Sequence, residues 1–289
     1  MIAALQRDEV LLADIRSRRG APGVDLWWLG QSGYLLRAGD KHVLIDPYLS
    51  DSLTRKYAGT DKPHVRMSER VIDPERLDFI DIVTASHAHT DHLDPETLAP
   101  LFRVNGGLRF VVPAAIAGLA AERAGVEADA PIGLDAGASV DVDGIRIHAI
   151  PAAHNRLDRD ALGRHLYLGY IIDAFGSRIY HSGDTLWYPG MEEGLRSFRV
   201  DVALLPINGN RPERRVAGNL DAAEAVGLAA AIGAGLTIPC HYDMFTFNTA
   251  DVGEFSLAAS RVGIGHRVLG LGEGIRLSGG EMVGLVGKN

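Results

Sequence analysis

Cysteine is almost absent from this 289-residue chain: Cys240 stands alone, so no intrachain disulfide can form. A lone thiol suits a reducing compartment, and the sequence reads as that of a cytoplasmic protein. No stretch approaches the ~20 apolar residues of a membrane span. The apolar start Met1-Ile2-Ala3-Ala4-Leu5 meets Arg7, Asp8 and Glu9 too soon to be a signal-peptide core. Positive charge is in deficit, with 29 Lys and Arg against 37 Asp and Glu and a formal net charge of −8. That balance excludes a broad electrostatic grip on nucleic acid. What the chain does have is an ordinary globular mixture, 46% hydrophobic and 23% charged, with length enough for a substantial core. A small molecule is the partner this leaves, with association into a homo-oligomer left open.

Residues 4–19 read as an amphipathic helix with Leu5, Val10, Leu11 and Ile15 on one face, so 1–22 is expected as a helical extension of a single domain. Strand-like texture begins at Val24. Leu26–Leu29, Tyr34–Leu36 and His42–Ile45 are short apolar runs separated by glycines, and Gly30-Gln31-Ser32-Gly33 reads as a tight turn. Residues 50–75 are polar and aperiodic, which predicts a long loop and raises the question of a lid. Phe79 to Ala85 predicts a buried strand. Asp94-Pro95 starts a helix, Asp143-Gly144 turns a hairpin, and Asp221 with Glu224 forms a capping box. Further strands are expected near 167–173, 178–181, 201–207 and 235–239, and a closing hairpin over 266–278. No Pro- or Ser-rich linker divides the chain. The expectation is therefore one α/β domain of two similar halves, packed sheet on sheet with helices outside.

Of the 11 histidines, three fall within six residues in Ser86-His87-Ala88-His89-Thr90-Asp91-His92, directly after an apolar strand. Imidazole and carboxylate are the usual ligands of borderline divalent ions. His87 and His89, two apart, project the same way from extended chain. Asp91 and His92 lie where the chain turns towards a helix and reach a neighbouring ion. Three more candidates stand just past apolar strands: His154, Asp184 after Gly183, and His241 after Leu236–Cys240.

This His-x-His-x-Asp-His signature, followed by a later His, a Gly-Asp and a final His, resembles the metallo-β-lactamase superfamily across nearly the whole chain. The resemblance implies that superfamily's four-layer αββα sandwich. It also implies two divalent ions, manganese or zinc with iron as a further option. His87, His89 and His154 would hold one ion, Asp91, His92 and His241 the other, and Asp184 would bridge them. Asp46 resembles the buttressing aspartate of the superfamily's first motif. Trp27–Gly30, Ile45-Asp46-Pro47, Tyr180–Asp184 and Ile238–Asp243 look like the L-ascorbate-6-phosphate lactonase group. The same landmarks are similar to the N-acyl-phosphatidylethanolamine phospholipase D group, which carries a histidine at the place of His154. Two ions ~3.5–4 Å apart would lower the pKa of a bridging water and supply hydroxide. Asp91 would then orient it and carry a proton. The expected activity is hydrolysis of a lactone or ester of a small anionic sugar acid. A phosphodiesterase and a metal-binding protein without turnover are the alternatives.

Arg211-Pro212-Glu213-Arg214-Arg215 follows an expected strand end. Arg211, Arg214 and Arg215 are candidates to grip a phosphate or carboxylate, with a solvated loop as the other reading. The 50–66 and 155–166 loops are the further candidates for substrate selection. His181, near Asp184, is a candidate for a supporting or leaving-group contact. His42 is expected in an exposed hairpin, His64 and His165 in loops, His266 at a strand start, and His148 in a strand that turns it towards the core.

Overall fold

The structure, a computed structural model, describes residues 1–277. A first sheet contains β1 (Val24–Gly30), β2 (Gly33–Ala38), β3 (Lys41–Ile45), β4 (Ile82–Thr84), β5 (Arg109–Pro113), β6 (Pro131–Leu134) and β13 (Gly274–Leu277), in the order β13-β1-β2-β3-β4-β5-β6. The second contains β7 (Ser139–Val142), β8 (Ile145–Pro151), β9 (Leu168–Ala174), β10 (Ser177–His181), β11 (Val202–Pro206) and β12 (Leu236–Cys240), in the order β12-β11-β10-β9-β8-β7. One hydrophobic core takes residues from both sheets, from Leu26 and Leu35 to Ile171 and Leu204. Helices α3 (Pro95–Val104) and α4 (Ala117–Ala124) lie by the first sheet. Helices α5 (Met191–Arg196), α6 (Ala222–Ile232) and α7 (Val252–Val262) lie by the second. The expected sheet-on-sheet sandwich with outer helices is the observed architecture.

Local chemistry explains most boundaries. Asp94 accepts from Glu96 N with Pro95 at the first helical position, and Asp221 forms the complete capping box with Glu224. Helices α4, α6 and α7 each end on a left-handed glycine: Gly125, Gly233 and Gly263. Asp143 and Gly144, both at positive φ, make the two-residue turn between β7 and β8. The parallel pairs β3-β4-β5-β6 and β10-β11-β12 bring several strands' carboxyl ends to one edge of the sandwich. Loops at that edge carry the site.

β1 holds a charge where a strand buried on both faces would be apolar. Asp25 is fully buried and pairs with Arg37, also fully buried, whose remaining donors reach the carbonyls of Ala21, Gly23 and Gly39. Arg18 and Arg276 reach Asp25 from its other side. Every donor of Arg37 has an acceptor, so the pair satisfies the condition under which buried charge is tolerated.

The structure corrects several expectations. The first helix, α1, spans only Asp8–Ser17, and it buries Leu11, Leu12 and Ile15 while Leu5 and Val10 are exposed. Residues 2–6 are instead non-helical and hydrogen-bonded to Met67, Glu69 and Leu271. The 266–278 hairpin is replaced by the single strand β13, which pairs antiparallel with β1; residue 278 lies outside the described residues. His42 is buried against the Phe79 ring at 4.9 Å, since β3 is an inner strand of its sheet. His148 is only half-buried, with its ring beside Phe198, because Ile147 and Ala149 take the core-facing positions of β8. The 50–75 segment carries α2 (Ser52–Lys56) and a small apolar cluster of its own, in which Tyr48, Leu53, Met244 and Phe245 pack together. Arg66 bonds the Ser50 carbonyl within the segment and bridges to Phe245 outside it.

Candidate metal centre

Seven side chains meet where the two sheets' loops converge. Residues 86–92 leave β4, His154 follows β8, Asp184 follows β10 and His241 follows β12. Gly183 makes the last turn before Asp184 at φ 59°, and a Cβ there would lie 2.7 Å from the Leu168 carbonyl and 2.8 Å from Ser86 Cβ. Only glycine fits this crossing. His241 is itself left-handed at φ 62°, a strained position for a histidine.

The nitrogens and oxygens fall into two groups that share one carboxylate. In the first, His89 Nδ1 is 3.0 Å from His87 Nε2 and 3.2 Å from His154 Nε2, which lies 3.5 Å from Asp184 Oδ2. In the second, Asp91 Oδ2 is 3.6 Å from both His92 Nε2 and His241 Nε2. Asp184 closes it, with Oδ2 3.4 Å from His241 Nε2 and Oδ1 3.4 Å from His92 Nε2. Ligands set tetrahedrally at ~2.0–2.1 Å from an ion stand ~3.3–3.4 Å from one another. The observed separations bracket that value.

Hydrogen bonds on the far side of each ring set the tautomers. Asp46, fully buried and at φ 42°, accepts from Ser86 N at 2.9 Å, from Ser86 Oγ, and from His92 Nδ1 at 2.7 Å. His87 Nδ1 donates to Ser86 Oγ at 3.0 Å, and His154 Nδ1 donates to the Gly218 carbonyl at 2.8 Å. Each of these three rings donates from Nδ1 and turns Nε2 to the cluster. Among the described residues, His92 Nε2 and Asp184 Oδ1 are buried without a hydrogen-bond partner. Unpaired buried ligand atoms facing one another are costly, and a cation between them removes the cost. The donor set thus fits divalent ions.

Electrostatics point the same way. Burial pushes His87 well below its ordinary value, with neighbouring histidines adding to it. Desolvation of its inner end and the nearby His154 push His89 down to about 4. Burial opposes the charge on His92 and His241, yet Asp184 and Asp91 hold both above the usual histidine range. Burial likewise opposes ionisation of Asp184, and His92, His241 and His154 hold it well below the carboxylate range. The second group, with two ionised carboxylates, is where positive charge is most strongly favoured.

His181 is buried and takes no place in the cleft lining, so it has no route to a leaving group. Its Nε2 donates to the Ser32 carbonyl at 2.9 Å and its Nδ1 accepts from Gly183 N at 3.2 Å, which pins the Asp184 turn to the β1–β2 turn. That β1–β2 turn carries a residue whose role the pattern did not reveal. Gln31, at φ 51°, donates from Nε2 to Asp91 Oδ2 at 2.9 Å, and its carbonyl accepts from His241 N at 3.1 Å. Ser86 also went unread. The available signals were a polar Gln-Ser pair between two apolar strands, and a serine adjoining the histidine cluster.

A cleft of about 370 Å³ opens over the cluster. His89, Asp91, His154, Asp184 and His241 contribute to its floor, and Leu53, Lys56, Tyr57, Lys62, His64, Arg123 and Asn248 to its walls. The 50–66 segment therefore does line the site. None of residues 155–166 is in that lining, and neither are Arg211, Arg214 and Arg215. Arg214 is committed to the Asn208 and Thr249 carbonyls and to Asn248 Oδ1, Arg215 pairs with Asp61, and Arg211 borders a separate depression beside α7. The arginine run lies outside the cleft lining, in keeping with its solvated-loop reading, and local backbone and carboxylate acceptors take two of its three guanidinium groups. His64 is no idle loop residue. It stacks on Tyr57 at 4.4 Å and donates from Nδ1 to the Lys62 carbonyl at 2.8 Å.

The family model of the beta-lactamase superfamily domain matches residues 41–242. A UPF0173 metal-dependent hydrolase of Thermoplasma acidophilum is 30% identical over 238 residues, covering 82% of this chain and 91% of the relative. One from Pyrococcus abyssi is 32% identical over 236 residues, covering 80% and 90%. Among solved structures, an isothiocyanate hydrolase from Delia radicum gut bacteria superimposes with a TM-score of 0.70 at 20% identity, over 88% of this chain and 99% of that one. A metallo hydrolase of Ignicoccus hospitalis gives 0.65 at 24% identity, over 88% and 98%. At these identities the two structures speak for the fold alone.

Proposed function

The chain belongs to the beta-lactamase superfamily, among the UPF0173 metal-dependent hydrolases, and from that premise we propose that it holds two divalent ions and hydrolyses a lactone or ester of a small anionic sugar acid. The observation that carries this reading is the pair of bare ligand sets sharing Asp184, on the floor of a cleft whose walls include Lys56, Lys62 and Arg123.

His87, His89, His154 and Asp184 would hold one ion, and Asp91, His92, His241 and Asp184 the other. Bound manganese, zinc or iron supplies Lewis acidity towards the acyl oxygen and lowers the pKa of water. The chain's residues do the rest. Gln31 holds Asp91 Oδ2, which leaves Oδ1 free to orient the attacking water, accept its proton and deliver it to the leaving oxygen. Asp91 is ionised, since His92 and His241 outweigh its burial and keep it below the carboxylate range, so it can hold the water by accepting a hydrogen bond from it. Asp46 and Ser86 keep the rings of His92 and His87 from turning. Leu53, Tyr57, Val216 and Ala217 give the cleft apolar surface that limits water around the reacting centre.

The test is a panel on metal-loaded protein: gluconolactone and phosphogluconolactone, p-nitrophenyl acetate, bis(p-nitrophenyl) phosphate and a thioester. Turnover is expected on the lactones, faster when they carry a negative group. Exclusive turnover of the phosphodiester would establish the competing phosphodiesterase reading. No turnover on any substrate by protein carrying both ions would refute hydrolysis of this class.

A further inference from the structure

Arg214 does not line the cleft, yet it acts on a residue that does. Asn248 lies in the loop after β12, seven residues beyond His241, at φ 58°. Its Oδ1 accepts from Arg214 Nη1 at 2.9 Å and from Asn208 Nδ2 at 3.0 Å. Asn208 is oriented in turn, its Oδ1 accepting from Asn219 Nδ2 at 3.0 Å. Arg214 is anchored by the Asn208 carbonyl at 2.5 Å and the Thr249 carbonyl at 2.9 Å. A guanidinium only donates, so the amide atom that faces it is the oxygen. The orientation of the Asn248 amide follows from chemistry. Its Nδ2, with two N–H donors, is the other end, and among the described residues it has no hydrogen-bond acceptor. Asn248 lines the same cleft as His89, Asp91, His154, Asp184 and His241.

We infer that Asn248 is a specificity-determining residue whose Nδ2 donates to an anionic oxygen of the substrate remote from the reacting carbonyl, with Arg214 and Asn208 as its positioning residues. The inference rests on the reading of the cleft as a hydrolase site for anionic sugar acids. It also narrows the source of specificity. The floor is taken up by the ligand set and the reacting group, so the remote group is held from the walls. Lys56 gives one of its donors to Thr90 Oγ1 and Lys62 one to the Arg215 carbonyl, and each ammonium has three. These lysines supply charge, and the fixed amide supplies direction. The anionic oxygen belongs to a phosphate or a carboxylate, and the recognition chemistry is the same.

Asn248→Asp separates this role from a structural one. It preserves size and the oxygen that Arg214 and Asn208 need but adds a negative charge as it removes the donor. Uncharged Asn248→Ala is therefore measured beside it and should lose phosphogluconolactone hydrolysis in the same direction. Fold, melting temperature and metal content are expected to be unchanged. Hydrolysis of phosphogluconolactone should lose roughly ten- to a hundredfold in kcat/KM, mostly through KM, and gluconolactone much less. Arg214→Gln should cause part of the same loss and add little to Asn248→Asp in the double variant, since both act through one contact. A second readout needs no turnover. Phosphogluconate and glucarate, with gluconate as control, are titrated into zinc-loaded, nitrogen-15-labelled protein, and the Asn248 side-chain amide signals are assigned by their absence from Asn248→Asp. A shift with phosphogluconate but not with gluconate supports the inference and identifies phosphate. One with glucarate but not with gluconate supports it and identifies carboxylate, and an equal shift with gluconate overturns it. Signals unmoved by excess of either ligand overturn it, as does an unchanged KM for phosphogluconolactone in Asn248→Asp. Shifts without any lactone turnover leave this inference standing and refute the proposed reaction.

Discussion

Replacing Gly183 by alanine perturbs the turn that aims Asp184, and the structure allows the cost to be worked out. The residue sits at φ 59°, where a side chain is disfavoured by ~1–2 kcal/mol. The new methyl would also lie 2.7 Å from the Leu168 carbonyl, 2.8 Å from Ser86 Cβ and 3.0 Å from Ser86 Oγ, all parts of a buried crossing between the sheets. Forcing a methyl into such packing costs a further ~1–3 kcal/mol. The expected destabilisation is about 2–5 kcal/mol, measured as the shift of a urea unfolding curve of metal-free protein. Relief of the contacts requires Asp184 or Ser86 to move. Ser86 bonds both Asp46 and His87, so either movement displaces ligand atoms. A misplacement of ~1 Å at a reacting centre costs about a hundredfold in rate. A loss of at least that size in kcat/KM, with metal affinity reduced, is therefore expected. A Gly183→Ala protein with parental stability, parental metal content and parental turnover would refute the reasoning, since the crossing would then have room that the structure denies.

Two further predictions concern the scaffold. Burial pushes His42 down to about 4 from an ordinary 6.5, against the opposing influence of Asp81, so it stays neutral in the folded chain while the unfolded chain protonates it. Its stabilisation is complete above pH ~6.5 and declines by about 3 kcal/mol as pH falls towards 4. His42→Gln should flatten that part of the stability–pH curve relative to the parent, and parallel curves would contradict the assignment. Arg37→Met should leave buried Asp25 with only Arg18 and Arg276, and a cost of about 3 kcal/mol by urea unfolding is expected. Removing both charges, as Arg37→Met with Asp25→Leu, should recover most of that loss.

How much of this was legible in the sequence depends on the range of the contacts involved. His87, His89, Asp91 and His92 are contiguous and follow an apolar run, so pattern alone brings them together. His154, Asp184 and His241 were found because each follows a strand, and strand ends gather at one edge of such a sandwich. Caps at Asp94 and Asp221 and the Asp143-Gly144 turn involve neighbours three residues apart or fewer, and they read correctly. Gln31 was read only as a turn, because its partners Asp91 and His241 lie 60 and 210 positions away. The surroundings of the arginine run are hidden for the same reason. Nothing within five residues shows that Arg214 points at Asn248, 34 positions on. The first helix was drawn too long because Leu5 and Val10 fit a helical face by spacing. The pairing of residues 2–6 with Met67, Glu69 and Leu271 overrides that spacing. β13 likewise adopts its partner from the other end of the chain, which no local hairpin signal encodes.

The central claim is that two ligand sets sharing Asp184 hold two divalent ions. The direct measurement is elemental analysis of protein purified without chelator, repeated after dialysis against manganese or zinc. The account predicts close to two equivalents of manganese, zinc or iron per chain, falling to one or fewer in Asp184→Asn, where the shared carboxylate is gone. No metal in the parent protein and none taken up on dialysis would contradict it.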